Sequence, residues 1–156
     1  MDFILDPPNG VSALWIGMGY EQALEVISDW GTPSVSGPYA HTSTVKIRVD
    51  YRSMDILAHL EDGETVTAIE LWRFEEDSPD VRVLLEGADV FRTPAREVLR
   101  QQAERGRRVD ESDPENPVIP EVTLAFTRET GQDVPRELDG LPMYFTSVLV
   151  AGVDYY

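Results

Sequence analysis

The chain contains no cysteine. Disulfides, iron–sulfur clusters, zinc–thiolate centres and thiol catalysis are therefore excluded. Lysine is almost missing as well: of thirteen basic residues, only Lys46 is not an arginine. Lys46 falls on the outward row of a strand pattern, which disfavours the desolvated amine that Schiff-base chemistry needs. Histidine occurs twice, at His41 and His59, and neither belongs to a metal-spaced pair such as H-E-x-x-H. No G-x-S-x-G elbow accompanies them, so a Ser-His-Asp centre has no support. Glycines form neither G-x-x-x-x-G-K-[ST] nor G-x-G-x-x-G, which removes the usual phosphate cradles. No run approaches the roughly 18 apolar residues of a membrane span, and MDFILDPPNG has no basic region followed by an apolar one. We expect a cytoplasmic, non-enzymatic protein with no cofactor, no metal and no membrane contact.

Positive charge is also scarce. The formal net charge is −16, which repels nucleic-acid backbones and would steer a basic protein toward the surface. Nucleic acid is therefore not an expected partner, whereas a protein partner of basic character is.

Hydrophobic residues make up 42% of the 156 residues, enough for one domain with a real core. An apolar start, DFIL, stops at Asp6-Pro7-Pro8-Asn9-Gly10, a strong turn. Tyr20, Ala23, Leu24, Ile27 and Trp30 then share one helical face, with Gly19 as N-cap and Gly31-x-Pro33 closing the helix. From Ser43 the period becomes two: Val45, Ile47 and Val49 alternate with Lys46, Arg48 and Asp50. Residues 53–74 read as a hairpin turning at Asp62-Gly63. Trp72 and Phe74 share a face with Val66 and Ala68, opposite Ile69 and Leu71, so both faces of that strand are apolar and require cover. Strands at 80–86 and 121–129 and a continuously apolar final strand at 143–153 complete the pattern.

A second helix lies in RTPAREVLRQQAERGRR, with Thr93 as N-cap, Pro94 at N1 and Gly106 as terminator. This stretch holds six of the arginines and carries +4, leaving −20 elsewhere. Such an island within a Debye length of so much negative charge makes a poor nucleic-acid handle. We expect its arginines to pair with surrounding acids.

Each helix follows a short apolar strand and precedes further strands. The expected class is α+β: antiparallel sheet with two helices packed on one face, as a tandem β-α-β-β-β pseudo-repeat. The whole chain, 1–156, reads as a single compact domain divisible into repeats 1–78 and 79–156.

Gly17, Met18, Ala23, Gly31 and Pro33 in GMGYEQALEVISDWGTP resemble the opening of BamE-like and β-lactamase-inhibitor-protein-like repeats. DVF.TP..EV (89–98) and YF.SV.V (144–150) resemble small uncharacterised bacterial α+β proteins, some regarded as immunity proteins. The resemblance implies protein binding without catalysis. The lipidated cysteine of the first group and the disulfides of the second are absent here, so outer-membrane assembly and extracellular inhibition find no support.

Two acidic loops, EEDSPD (75–80) and DESDPE (110–115), lack the glycine and distal glutamate of a calcium loop. They could instead present carboxylates to a partner's arginine or lysine. The candidate partner-binding residues are Glu75, Glu76, Asp77, Asp80, Asp110, Glu111 and Asp113, with Trp72 and the terminal Tyr156 as aromatic contacts. The sharpest form of this reading is an immunity-type protein neutralising a basic partner. Two other readings stand beside it: a small-molecule-binding protein or enzyme with a pocket between helices and sheet, and a homo-oligomeric structural protein.

Overall fold

A computed structural model of the chain describes residues 1–128 and 134–153. The architecture is α+β, with two helices and two sheets dominated by antiparallel pairing.

The smaller sheet has five strands. β1 (Asp2–Asp6) turns through the expected Pro-Pro-Asn-Gly segment, where the Asn9 amide donates to the Asp6 carbonyl at 2.7 Å. It then pairs with β2 (Gly10–Val11), which pairs with β3 (Leu14–Trp15). On its other side β1 runs parallel to β8 (Arg82–Leu85), followed by β9 (Ala88–Asp89). That parallel pair joins strands far apart in sequence, and Arg82 clasps Asp2 at its end at 2.6 Å.

The larger sheet has seven strands and is antiparallel throughout, in the order β10-β11-β12-β7-β6-β5-β4. In chain order these are β4 (Ser34–Ser36), β5 (Val45–Tyr51), β6 (Met54–Leu60), β7 (Ala68–Trp72), β10 (Val118–Ile119), β11 (Leu124–Thr127) and β12 (Ser147–Ala151). The alternation read from the sequence holds in β5: Val45, Ile47 and Val49 are buried, and Lys46, Arg48 and Asp50 are exposed. β12 is central, between β11 and β7, as its continuous apolarity requires. β7 lies between β12 and β6 with Ala68, Ile69 and Leu71 fully buried, so the chain itself supplies much of the cover its two apolar faces need.

α1 (Tyr20–Ser28) has Gly19 as N-cap, buries Ala23 and Ile27, and rests against β3 and β5. α2 (Ala95–Glu104) buries Ala95, Val98, Leu99 and Gln102. Buried residues of both sheets and both helices form one continuous hydrophobic cluster. Phe3 of the small sheet meets the rings of Trp30 and Tyr51 edge-on at 5.2 and 5.3 Å, which ties β1 to the end of α1 and to β5.

Three local expectations are corrected. Helix α2 begins one residue later than read: Pro94 is the N-cap, and Thr93 makes no capping hydrogen bond. The Ala95 amide instead donates to the Met143 carbonyl at 2.8 Å, so an orphan helix donor is satisfied by tertiary contact. The β6–β7 connection runs from 61 to 67 and is not a two-residue turn. Asp62 Oδ1 accepts the amides of Glu64 and Thr65 at 2.8 and 2.9 Å, and the backbone then leaves β6 to pair with residues 17–19. Finally, residues 120–122 form a 3-10 turn ending in a left-handed Thr123 (φ 45°), so Val122 precedes the strand instead of lying on it.

Candidate functional site

The six arginines of the segment from Arg92 to Arg108 are all engaged with carboxylates. Arg92 pairs with Asp77 and Asp89, Arg96 with Glu137, Arg100 with Glu97 and Glu104, Arg105 and Arg107 with Glu86, and Arg108 with Asp110. The basic stretch is thus spent within the fold, as its surroundings of opposite charge led us to expect. Arg92 and Arg108 stand outside α2 and do not extend the row of Arg96 and Arg100.

This consumption decides how the two acidic loops present themselves. In the loop at 75–80, Asp77 is held by Arg92 at 2.6 Å and Asp80 is paired with Arg52. The Arg52 guanidinium holds the Asp80 carboxyl below its usual range. Glu75 and Glu76 remain exposed with no ion pair among the described residues. In the loop at 110–115, Asp110 accepts the Ser112 amide and hydroxyl, which lowers its pKa, and Asp113 accepts the Glu115 amide and the Asn116 side chain. Glu111 is exposed. Trp72 is half-buried in a central strand, opposite Asp55 and Ser147 in register. Tyr156 lies outside the described residues.

A third group of carboxylates, not singled out from the sequence, is assembled by backbone pairing. The Tyr20 amide donates to the Glu64 carbonyl at 2.9 Å, Gly19 bridges to Thr65, the Gly17 amide donates to the Val66 carbonyl, and the Val66 amide donates to the Met18 carbonyl. The β6–β7 connection is thereby fixed beside the first turn of α1. That pairing forms an acidic edge, bringing exposed Glu21, in the first turn of α1, beside Glu64 on the connection that also carries exposed Glu61 and Asp62, while exposed Glu25 follows one turn further along the helix. None of the five has an ion-pair partner among the described residues. Asp62 is held below the usual carboxylate range by the amides of Thr65 and Glu64.

Beside this edge is an apolar groove of about 280 Å³, lined by Ile16, Gly17, Glu61, Val66, Gly152 and Val153 among others. Glu61 belongs both to the groove and to the acidic group. Val153 is 68% exposed, and Trp15, next to Ile16 in the chain, is 45% exposed. Apolar surface rimmed by charge of one sign is the chemistry of a binding surface.

His59 meets Glu70 diagonally across the β6–β7 pair, Nε2 to Oε1 3.3 Å, a satisfied cross-strand contact. Burial pushes the Glu70 carboxyl up, but the His59 hydrogen bond and charge outweigh it and leave the pKa lowered. No group of three or more metal-ligating side chains occurs among the described residues. No helix among them is long and apolar enough to cross a membrane. Comparison with protein-family models, with curated proteins and with solved structures gave no match.

Proposed function

We propose that the protein is a non-enzymatic binding module that docks a basic, partly apolar segment of a partner protein. The observation that supports this most directly is an apolar groove lined in part by Glu61, which has no ion-pair partner among the described residues and lies on the connection whose Glu64 carbonyl meets the first turn of α1 beside Glu21. Elsewhere the fold spends most of its arginines on nearby carboxylates, so the acidic edge carries a share of the −16 charge that internal pairing leaves uncompensated. Acidic rims accelerate encounter with cationic partners, while the apolar floor supplies contact energy. Glu75, Glu76 and Glu111 extend the acidic field as secondary contacts.

The finer readings belong with this proposal. The partner is a basic domain, and immunity-type neutralisation of a toxin is its sharpest form. Packing of both helices on one face and duplication of a β-α-β-β-β unit stay with this reading; the duplication has the support of the order of the larger sheet, which reads β4-β5-β6-β7 and then β12-β11-β10 across one antiparallel seam.

The test is affinity capture from the native cell with the wild-type chain and with Glu21→Lys/Glu25→Lys/Glu61→Lys/Glu64→Lys. A basic protein retained at low salt, lost at high salt, and lost to the variant supports the proposal. Its contact must also shift the signals of Val66, Thr67 and Gly152. Equal capture by the variant sinks it.

A further inference from the structure

Arg128 continues the inward row of β11. Leu124 and Phe126 are buried, and the same two-residue alternation carries Arg128 inward, where only 5% of it is exposed. Its guanidinium carbon lies 5.7 Å from the centre of the Phe145 ring. Its Nε has no hydrogen-bond partner, and no carboxylate among the described residues pairs with the group. A buried guanidinium that no described carboxylate meets is a costly arrangement that a fold tolerates where something else supplies the acceptor.

Arg128 borders a cleft of about 410 Å³ between α2 and the segments following α2 and β11. Leu99, Val109 and Leu141 give the cleft apolar walls, and Glu111, Glu137 and Asp139 give it an acidic rim. The other two arginines of the cleft are already used: Arg96 faces Glu137 at 3.8 Å, and Arg100 is clasped by Glu97 and Glu104. Among the described residues the cleft therefore offers one cation at depth that no carboxylate matches and, at its mouth, the carboxylates of Glu111 and Asp139 without an ion pair. A simple anion drawn to Arg128 would have to pass that rim in a strongly acidic protein. A ligand carrying its own cation would satisfy both ends. The volume lies in the range of small-molecule clefts.

We propose that this cleft binds a small zwitterionic carboxylate of the amino-acid or dipeptide type. The ligand carboxylate takes the Arg128 fork, its ammonium group lies at Glu111 and Asp139, and an apolar side chain packs on Leu99, Val109 and Leu141. The site shares no residue with the acidic edge of α1 and has only Glu111, a secondary docking contact, in common with the proposed docking surface, so loss of binding in the Arg128 variants is separable from loss of docking at that edge.

The experiment is titration of isotope-labelled protein with L-leucine, L-phenylalanine and leucylleucine, read on the methyl signals of Leu99, Val109 and Leu141. At least one should give saturable shifts. The amide of the responding compound lacks the carboxylate and its N-acetyl derivative lacks the ammonium; each should bind at least about tenfold more weakly. Arg128→Gln should remove the response. If that variant does not fold, Arg128→Lys keeps the charge but not the bidentate fork, and should weaken binding to a similar degree. No saturable shift up to about 10 mM of any probe, a range that would reveal even millimolar affinity, overturns the proposal. So does an amide or N-acetyl derivative that binds as well as its parent, or unchanged binding in the Arg128 variants. A response that emerges only in Glu129→Gln or Asp133→Asn would also overturn it, by showing that the chain supplies its own acceptor.

Discussion

Arg92 Nη2 lies 2.6 Å from Asp77 Oδ1, and this pair fastens the acidic loop at 75–80 to the start of the α2 segment. The same guanidinium reaches Asp89 at 2.8 Å and the carbonyls of Val81 and Ser78 at 2.6 and 2.8 Å. It also lies 4.5 Å from the centre of the Phe74 ring, whose ring is approached by Arg73 at 4.6 Å as well. Arg92 is only 26% exposed, so these bonds are partly shielded from water.

Arg92→Lys keeps the charge but loses the fan of donors that reaches four acceptors. It should lower stability by about 1–2 kcal/mol, measured by denaturant unfolding. Hydrogen exchange should rise first at Val81, whose amide donates to the Ser78 carbonyl at 2.9 Å. An unchanged midpoint with unchanged exchange would show that the loop is held by other means.

Glu86 gives a pH-dependent contribution. Burial pushes its carboxyl up, but the Arg107 and Gln102 hydrogen bonds and the Arg105 charge outweigh this and leave the pKa lowered. Gln102, itself 2% exposed, also accepts from Arg107 at 2.6 Å, so Glu86 completes a network over the buried face of α2. A lowered folded pKa means stability that is present above the unfolded value of about 4.3 and is lost as pH falls through the folded value. Glu86→Gln should therefore cost about 1 kcal/mol at pH 7, discounted for the partial exposure of the side chain. The gap between wild type and variant should close below about pH 4. A gap that persists at pH 3 would mean that the loss comes from packing and not from charge.

Gly63 stands at φ 76°, and a Cβ built there would lie 2.6 Å from the Ser43 carbonyl oxygen. Gly63→Ala must bear left-handed strain and move backbone, a loss of about 2–3 kcal/mol. The displacement should reach the Tyr20 amide, because its acceptor is the Glu64 carbonyl. Faster exchange at Tyr20 together with the stability loss is the expected signature.

Strict alternation made β5 legible in the sequence, and continuous apolarity did the same for β12, because each pattern follows directly from which faces are covered. The β6–β7 connection was misread because Asp62-Gly63 is turn chemistry at short range. What decided it was the tertiary pairing of residues 64–66 with 17–19. The acidic edge depends on that same pairing, so no local pattern could have gathered Glu21 with Glu64. Thr93 was a sound cap by propensity, but the Met143 carbonyl, distant in sequence, took its role. Arg128 was different. Its place two residues beyond Phe126 puts a cation on an inward row, and counting that alternation one step further would have marked it as buried, though the cleft around it is closed by residues of α2 and of 137–141 that lie far off in sequence.

The acidic edge itself can be separated from the turn that carries it. Asp62 holds the turn: its carboxylate accepts two amides and the Thr65 hydroxyl, and its lowered pKa follows from those bonds. Glu61 and Glu64 contribute backbone carbonyls to the structure, while their side chains make no hydrogen bond or ion pair among the described residues. Asp62→Ala should lower Tm, and the contribution it removes should fade as pH falls below the usual aspartate value of about 3.9. Glu61→Gln/Glu64→Gln should do the opposite. Relief of like-charge repulsion should raise Tm by about 1–2 °C at low salt, and the gain should vanish near 1 M salt, where screening acts within about 3 Å. Carboxylates whose removal stabilises the fold are not there for the fold, and calorimetry at two salt concentrations distinguishes them from Asp62. A Tm that falls in the double variant would make the edge structural and take away the main support for docking there.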